Sequence, residues 1–303
     1  MKVLVIGYGS IGRRHVDVLQ SIDSSFRVDI VTKQHVTSSK SYSTLGEVSK
    51  IEEYDYFVVA SETVKHYEQL IYICSQVSGK KILVEKPLFD KSYGNLSRNN
   101  QVFVAYNLRF HPLVQSIKEL IKQQPPYYAN VVCGQYLPTW RPERDYRASY
   151  SADIEQGGGV LRDLSHELDY AAWLFGDIVK IQAINAKVSD LEIQSDDIFA
   201  ATAVSGNKTI INISVDYISK TPVRRMLIHT RDLTIEADMI ENQIVSYDKQ
   251  GKKELIDFGK LDRNLTYRKM HEAVLSEDTD ILCTYEQAER TTLLIDEVSF
   301  ATL

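Results

Sequence analysis

The fold is indicated by the start of the chain, where the apolar run Val3-Leu4-Val5-Ile6 is followed at once by Gly7-Tyr8-Gly9-Ser10-Ile11-Gly12. The next segment, Arg13 to Ser21, has its apolar residues at helical spacing. A strand, a GxGxxG turn and a helix in this order are typical of a dinucleotide-binding unit. In such a unit the first glycine permits the tight turn, the second lets the backbone approach a pyrophosphate, and the third lets the helix pack on the strand.

The end of the second predicted strand, Phe26–Thr32, bears on the choice of cofactor. An NAD site usually has an acidic residue there for the ribose hydroxyls, but this strand ends in Thr32-Lys33-Gln34 and Asp29 lies inside it. Thr32 and Lys33, with Arg13 nearby, could receive a 2′-phosphate, so the sequence favours NADP over NAD. The alternative is that Lys33 is a solvated loop charge and that both cofactors bind.

The first 107 residues alternate short apolar strands with helical segments. Further strands are predicted at Tyr56–Ala60, Lys81–Val84 and Gln101–Tyr106, with a helix from Ser61 to Cys74 between the first two. This alternation predicts an α/β Rossmann domain with a doubly wound parallel sheet over residues 1–107.

The character of the chain changes in residues 108–303. Strand-like segments follow one another with little helix between them, and the alternation of Ile211, Ile213 and Val215 favours a sheet with one solvated face. We therefore predict an α+β domain with a mainly antiparallel open sheet, and leave open whether the last helices pack back on the first domain. The helices are predicted at Pro112–Lys122, Val160–Phe175, Leu265–Leu275 and Tyr285–Phe300.

Composition excludes several classes of protein. The 303 residues are 44% hydrophobic and 25% charged with a net charge of -6, which gives no reason to expect nucleic-acid or anionic-membrane binding. The first apolar run is too short for a signal peptide, and no run is long enough to span a bilayer. Cys74, Cys133 and Cys283 lack metal-ligand spacing. We expect a cytoplasmic protein with reduced thiols and no metal site.

Glu85-Lys86-Pro87 follows directly on the strand Lys81–Val84. Ligands of open α/β sheets bind at the carboxyl ends of the strands, so Lys86 would face the reacting end of a dinucleotide. Its ammonium could hydrogen-bond a substrate oxygen and favour developing alkoxide character. The alternative is an ordinary lysine before a proline turn, paired with Glu85.

A second candidate cluster follows Gly157-Gly158-Gly159. On the helix predicted after these glycines, Asp163, His166 and Asp169 are spaced i, i+3 and i+6 and share roughly one face. A histidine between carboxylates suits a general acid/base that takes or returns a hydroxyl proton. The alternative is a helix with a capping Asp163 and a buried His166.

Taken together, these motifs resemble those of the Gfo/Idh/MocA oxidoreductases, and the resemblance covers nearly the whole chain. It rests on five segments in order: Gly7–His15, Ser61-Glu62-Thr63 with His66, Glu85-Lys86-Pro87, Tyr106–Pro112 and Gly157–Asp169. The resemblance implies NAD(P)-dependent oxidation or reduction at a hydroxyl carbon of a sugar or sugar derivative. It also implies a homo-oligomer, a dimer or a tetramer, formed through the open C-terminal sheet. The dinucleotide contacts then expected are Gly7, Tyr8, Gly9, Ser10, Ile11, Gly12, Arg13, Thr32, Lys33, Ser61, Glu62, His66, Glu85 and Lys86.

One motif departs from the family pattern. The family places an aspartate four residues before the histidine, whereas Asp163 and His166 are three apart. Asp163 is therefore left as a partner of His166, a helix cap, or neither.

The loop from Trp140 to Tyr150 is rich in arginine and aromatic residues. Arginine suits carboxylates and phosphates, and aromatic rings stack on sugars or bases. This composition favours an acidic or nucleotide-linked sugar; the alternative is a surface loop whose arginines pair with Glu143, Asp145 and Asp153. The predicted substrate contacts are Asn107, Arg109, Trp140, Arg141, Arg144, Tyr146, Arg147, Asp163 and His166.

The sequence thus predicts an NAD(P)-dependent oxidoreductase that transfers hydride between nicotinamide and a hydroxyl or carbonyl carbon, with Lys86, His166 and Asp163 as catalytic candidates. Two alternatives stay open. One is an NAD-dependent glycosidase or eliminase of the same family. The other is a dinucleotide-sensing regulator, against which the presence of both Lys86 and His166 argues.

Overall fold

A computed structural model of the chain describes residues 1–37, 39–94, 96, 99–276, 279–298 and 300–302. Its strands are β1 (Lys2–Ile6), β2 (Arg27–Val31), β3 (Ser41–Tyr42), β4 (Tyr56–Val59), β5 (Lys81–Val84), β6 (Gln101–Val104), β7 (Tyr128–Gly134), β8 (Ile178–Lys187), β9 (Ile198–Ser205), β10 (Ile210–Asp216), β11 (Val223–His229), β12 (Thr234–Asp238), β13 (Gln243–Tyr247), β14 (Lys253–Asp257), β15 (Cys283–Thr284) and β16 (Phe300–Thr302). Its α-helices are α1 (Ser10–Ile22), α2 (His66–Gln76), α3 (Pro112–Ile121), α4 (Val160–Asp163), α5 (His166–Phe175), α6 (Leu265–Ser276) and α7 (Tyr285–Glu297).

The chain divides into two compact units. The first comprises Met1–Phe110 and Arg263–Leu293, and the second comprises His111–Asp262 and Leu294–Leu303. Helix α6 and most of α7 therefore belong to the first unit, although they come from the end of the sequence.

The sheet of the first unit has the strand order β15-β6-β5-β4-β1-β2-β3. All its neighbouring strands are parallel except β15, which runs antiparallel to β6. The order confirms the predicted doubly wound Rossmann sheet. Because β1, β4 and β5 are parallel neighbours, the residues that follow them, Gly7, Ala60 and Glu85, come at one edge of the sheet.

Both faces of this sheet are covered, which explains why its strands are continuously apolar. On one side Val3 and Val5 pack in a core that includes α1 and α6. On the other side Leu4 and Ile6 pack in a core that includes α2 and α7.

The sheet of the second unit has the order β14-β13-β12-β11-β7-β10-β9-β8-β16 and is mainly antiparallel, as predicted. Its parallel pairs are β7–β10 and β8–β16. Ile211, Ile213 and Val215 are buried on one face, and the residues between them lie on the open face. The alternation seen in the sequence therefore marks a sheet with one exposed side.

Several of the predicted helices differ from those observed; α2, for example, begins at His66 and not at Ser61. The helix predicted over Val160–Phe175 is two helices, α4 and α5, because Ser165 N–H bonds Arg162 O and Glu167 N–H bonds Leu164 O, which tightens the backbone between them. The last helix ends at Glu297 and is followed by β16, and Ser299 lies outside the described residues.

Two further properties concern only the residues that the structure describes. None of their helices combines the length and hydropathy that crossing a bilayer needs. Among them there is also no group of three or more His, Cys, Asp or Glu side chains that could hold a metal ion.

Candidate active site

The glycine-rich turn after β1 has three glycines in three different environments. Gly7 has φ +96°, and a Cβ there would lie 2.5 Å from Ala60 O. A Cβ at Gly12 would lie 2.2 Å from Gly7 O, whereas a Cβ at Gly9 would meet nothing within 4 Å. The first and third positions are therefore closed by the protein's own backbone, and the second opens onto space that a pyrophosphate could fill.

Helix α1 begins in this turn, with Gly9 as its N-cap. No side chain among the described residues accepts from its first amides, and its first turn carries no acidic residue. These amides and the positive end of the helix dipole suit a phosphate group. The turn thus fits a dinucleotide.

Around the end of β2, Asp29 is not a ribose ligand. It is buried within the strand and accepts a hydrogen bond from the Tyr54 hydroxyl at 2.6 Å. Arg13 donates to Gln34 Oε1 at 2.7 Å and lies over the Tyr8 ring. Lys33 is exposed beside them.

After β4, His66 is fully buried, and both of its ring nitrogens lie beside backbone carbonyl oxygens. Its Nδ1 lies 3.2 Å from Pro87 O and 3.1 Å from Leu88 O, and its Nε2 lies 3.1 Å from Ser61 O. Burial lowers the pKa of this imidazole. His66 therefore joins the loop after β4 to the segment after Lys86, while Glu62 is exposed and paired with Lys65.

Lys86 is half-buried at the carboxyl end of β5, in the position that the sequence predicted. The adjacent Glu85 is 8% exposed; its Oε2 accepts from the Lys86 backbone N–H at 3.1 Å, and its Oε1 lies 2.9 Å from His15 Nε2. Glu85 is thus anchored in the interior of the first unit.

Two predicted substrate contacts point into the core of the first unit instead. Asn107 Nδ2 donates to Thr266 Oγ1 at 2.7 Å. Arg109 is 2% exposed, and its Nη1 donates to Leu282 O and to Gln287 Oε1. These bonds give both side chains a structural role within their own unit.

The Gly157–Gly159 turn shapes the start of α4. A Cβ at Gly158 would lie 2.0 Å from Tyr150 O, and one at Gly159 would lie 2.1 Å from Asp196 Oδ1. Asp196 Oδ2 accepts from the Leu161 N–H at 2.9 Å, and burial raises the pKa of this carboxyl to about 6. The glycines let Asp196 cap the helix that carries Asp163.

Asp163 holds two tyrosine hydroxyls, which the sequence did not predict. It is 6% exposed, and it accepts from Tyr150 Oη and Tyr217 Oη, each at 2.6 Å. Burial first, and then the neighbouring Asp163 charge, raise the pKa of both tyrosines well above the usual value, so both stay neutral donors. Asp163 therefore connects the arginine-rich loop to β10.

His166 is the half-buried first residue of α5. The helix is fixed by the next residue, Glu167, which is fully buried and forms an ion pair with Arg224 of β11 at 2.8 Å. Asp169, the third member of the predicted cluster, is buried.

The arginine-rich loop encloses a cavity of about 440 Å³ in the second unit. Trp140 lies edge-on to Tyr217 at 5.2 Å, and its Nε1 is buried with no acceptor among the described residues. The cavity is lined by Leu137, Trp140, Arg141, Arg144, Asp145, Tyr146, Ala148, Ser149, Tyr150 and Ser151.

The arginines of this loop divide into two kinds. Arg147 is paired with Asp145 and Glu192, as expected of a solvated surface loop. Arg141 and Arg144 line the cavity, and in the described part of the chain neither guanidinium has a carboxylate within ion-pair distance. The cavity is therefore lined by two arginines that have no carboxylate partner among the described residues.

The chain is similar to known proteins over most of its length. Family models match both parts of it: the oxidoreductase family with an NAD-binding Rossmann fold over residues 1–114, and the GFO/IDH/MocA C-terminal domain over residues 115–236. An uncharacterized oxidoreductase of Synechocystis sp. is 28% identical over 200 residues, which are 60% of this chain and 53% of the relative. Levoglucosan dehydrogenase of Pseudarthrobacter phenanthrenivorans is 28% identical over 170 residues, 53% of this chain and 44% of the relative. The chain thus matches about half the length of these curated relatives.

Solved structures show the same fold over nearly the full length. UDP-N-acetylglucosamine 3-dehydrogenase GnnA from Acidithiobacillus ferrooxidans has a TM-score of 0.80 and 19% identity, covering 98% of this chain and 96% of its own. Levoglucosan dehydrogenase in complex with NADH and levoglucosan has a TM-score of 0.84 and 15% identity, covering 98% and 95%. These structures share the fold of the chain, and the two family matches establish that the chain belongs to the GFO/IDH/MocA family of oxidoreductases.

Proposed function

We propose that this protein is an NAD(P)-dependent oxidoreductase that acts at a hydroxyl or carbonyl carbon of a negatively charged sugar derivative. The cavity beside Arg141 and Arg144 is the observation that supports a negatively charged substrate. In the described part of the chain neither arginine has a carboxylate partner. An acidic sugar or a nucleotide-linked sugar would supply the missing anion.

The proposed chemistry assigns separate roles to Lys86 and His166. A bound nicotinamide would supply the hydride acceptor or donor. Lys86 donates a hydrogen bond from Nζ to the substrate oxygen and stabilises its developing negative charge. His166 takes the hydroxyl proton at a ring nitrogen during oxidation and returns it during reduction. Asp163 positions the Tyr150 ring beside the substrate cavity through its bond to that hydroxyl.

We further propose that the chain associates with copies of itself through the open face of its second sheet. On that face Ile184 and Ile210 are exposed, and a groove of about 590 Å³ is lined by side chains that include Val132, Leu227 and Val245. Exposed apolar side chains beside a groove on an open sheet face support a surface that a partner covers.

The roles of Lys86 and His166 are tested by Lys86→Ala and His166→Ala. With UDP-N-acetylglucosamine and glucuronate as probes, each substitution should lower kcat by about a hundredfold or more, because each removes a group used in the transition state. The affinity for NADH and NADPH, measured by fluorescence titration, should change less than threefold. His229→Gln, whose imidazole contacts Thr234 at a distance from this chemistry, is the control.

Full turnover in the His166 variant would contradict the proton-transfer role. Probe turnover without net reduction of NAD would favour the glycosidase or eliminase alternative, and tight dinucleotide binding without any turnover would favour the regulator.

The charge of the substrate is tested within the loop itself. Arg141→Ala and Arg144→Ala should each raise the Kd for UDP-N-acetylglucosamine or glucuronate about tenfold, the loss expected for one charge-assisted contact. The Kd for uncharged N-acetylglucosamine and glucose should hardly move. Arg147→Ala is the matched control, because this guanidinium is already compensated by Asp145 and Glu192. Equal losses in all three variants, as measured by calorimetry, would refute the assignment.

For the cofactor we propose a preference for NADP, supported by Lys33 and Arg13 at the end of β2 and by the burial of Asp29. Lys33→Glu should raise the Kd for NADPH at least tenfold and leave that for NADH nearly unchanged, since only NADPH carries the 2′-phosphate. Lys122→Glu, at an exposed lysine of the second unit that pairs with Glu119, controls for net charge. A wild-type protein that binds NADH more tightly than NADPH would overturn this preference.

A further inference from the structure

Four buried polar side chains of the first unit form a continuous hydrogen-bonded chain. Tyr56 Oη lies 2.9 Å from His271 Nδ1, His271 Nε2 lies 2.8 Å from His15 Nδ1, and His15 Nε2 lies 2.9 Å from Glu85 Oε1. Tyr56, His15 and His271 have no solvent exposure. This hydrogen-bonded chain runs from the first residue of β4, through α6 and α1, to the residue before Lys86.

The proton order along this chain is fixed by its two ends. The Lys86 backbone N–H can only donate, and it occupies Glu85 Oε2. An ionised Glu85 accepts from His15 Nε2–H, which leaves His15 Nδ1 to accept from His271 Nε2–H, and His271 Nδ1 to accept from the Tyr56 hydroxyl. Burial lowers the pKa of His271 well below its usual value, in keeping with a neutral ring. Every donor then has an acceptor.

The opposite order leaves a donor without an acceptor. If Glu85 donated to His15, each ring would carry its proton on Nδ1 and His271 would donate to Tyr56 Oη. The Tyr56 hydroxyl would then have to point its proton elsewhere, and among the described residues it has no other hydrogen-bond partner. A buried donor without an acceptor is costly, so the order that begins at Tyr56 is the stable one.

We propose that Tyr56, His271 and His15 are positioning residues that hold Glu85 as an ionised acceptor and thereby fix the main chain of Lys86. His15 lies on α1, the helix whose first amides would face the phosphates of a bound dinucleotide, and Glu85 directly precedes Lys86. The chain therefore ties the phosphate-binding helix to the Lys86 segment. The positioning role of this hydrogen-bonded chain rests on the proposed role of Lys86, whereas its proton order does not.

The proton order is tested by nitrogen-15 NMR of the histidine rings, assigned with His15→Gln and His271→Gln spectra. In the wild-type protein both rings should be neutral and protonated on Nε2. In Glu85→Gln one bond must fail, because the amide NH₂ either opposes a donor at Glu85's position or turns both rings to the Nδ1-protonated form and leaves the Tyr56 hydroxyl without an acceptor. This variant should therefore have a lower Tm than the wild type, whichever tautomer its rings adopt. Tyr56→Phe should leave both on Nε2, because Glu85 sets the order.

These measurements decide the proton order without any enzyme assay. A wild-type ring protonated on Nδ1, or on both nitrogens, overturns the order even if Glu85→Gln does not fold. A Glu85→Gln protein with the Tm of the wild type overturns it as well, because a glutamine can replace Glu85 at no cost only if Glu85 donates to His15.

The positioning role is tested by kinetics with the probe that is turned over. His271→Leu breaks the chain and should lower kcat about tenfold, while KM and the Kd for the dinucleotide stay within twofold. His271→Gln can still donate to His15 and accept from Tyr56, and should restore kcat to within about threefold of the wild type. Equal losses in the Leu and Gln variants, or none in the Leu variant, would show that the chain only supports the fold.

Discussion

The first unit depends on one close approach of backbone to backbone, at Gly7. A Cβ at this residue would lie 2.5 Å from Ala60 O, so only glycine lets the turn after β1 rest against the segment after β4. Gly12 closes on Gly7 O in the same way and draws α1 down onto the turn. This packing sets the direction of the α1 amides, leaves the space beside Gly9 open, and brings His15 within hydrogen-bonding distance of Glu85.

In the second unit, side-chain hydrogen bonds and an ion pair hold the loop and the helix of the candidate site in place. Its arginine-rich loop contains little regular structure and would be a poor platform for a substrate by itself. Asp163 binds the hydroxyls of Tyr150, in the loop, and Tyr217, after β10, so the loop is held to the sheet by two short hydrogen bonds. The ion pair between Glu167 and Arg224 fixes the neighbouring helix. Both units therefore place polar groups by tying loops to rigid elements.

The parts of this architecture that depend on local sequence pattern could be predicted, whereas contacts between distant segments could not. The glycine turn, the parallel strands and the exposed face of the second sheet follow from spacing alone. Strand β14 has no alternation of buried and exposed positions to predict it, because every residue of Lys253–Asp257 is exposed and the strand pairs with β13 alone. The contact of His15 with His271, 256 residues away, and the burial of Arg109 have no local signal, since each depends on where α6 and α7 pack.

The central claim, that the turn after β1 holds a dinucleotide, is tested most directly at Gly9. This residue has φ -71°, which any residue can adopt, and a Cβ there meets nothing within 4 Å, so Gly9→Val should fold with an unchanged Tm. The same side chain would occupy the space of the pyrophosphate. Calorimetric titration should show one NADH or NADPH bound per wild-type chain and at least a hundredfold weaker binding to Gly9→Val, with Gly46→Val as the surface control. Wild-type affinity in the Gly9 variant would contradict the account.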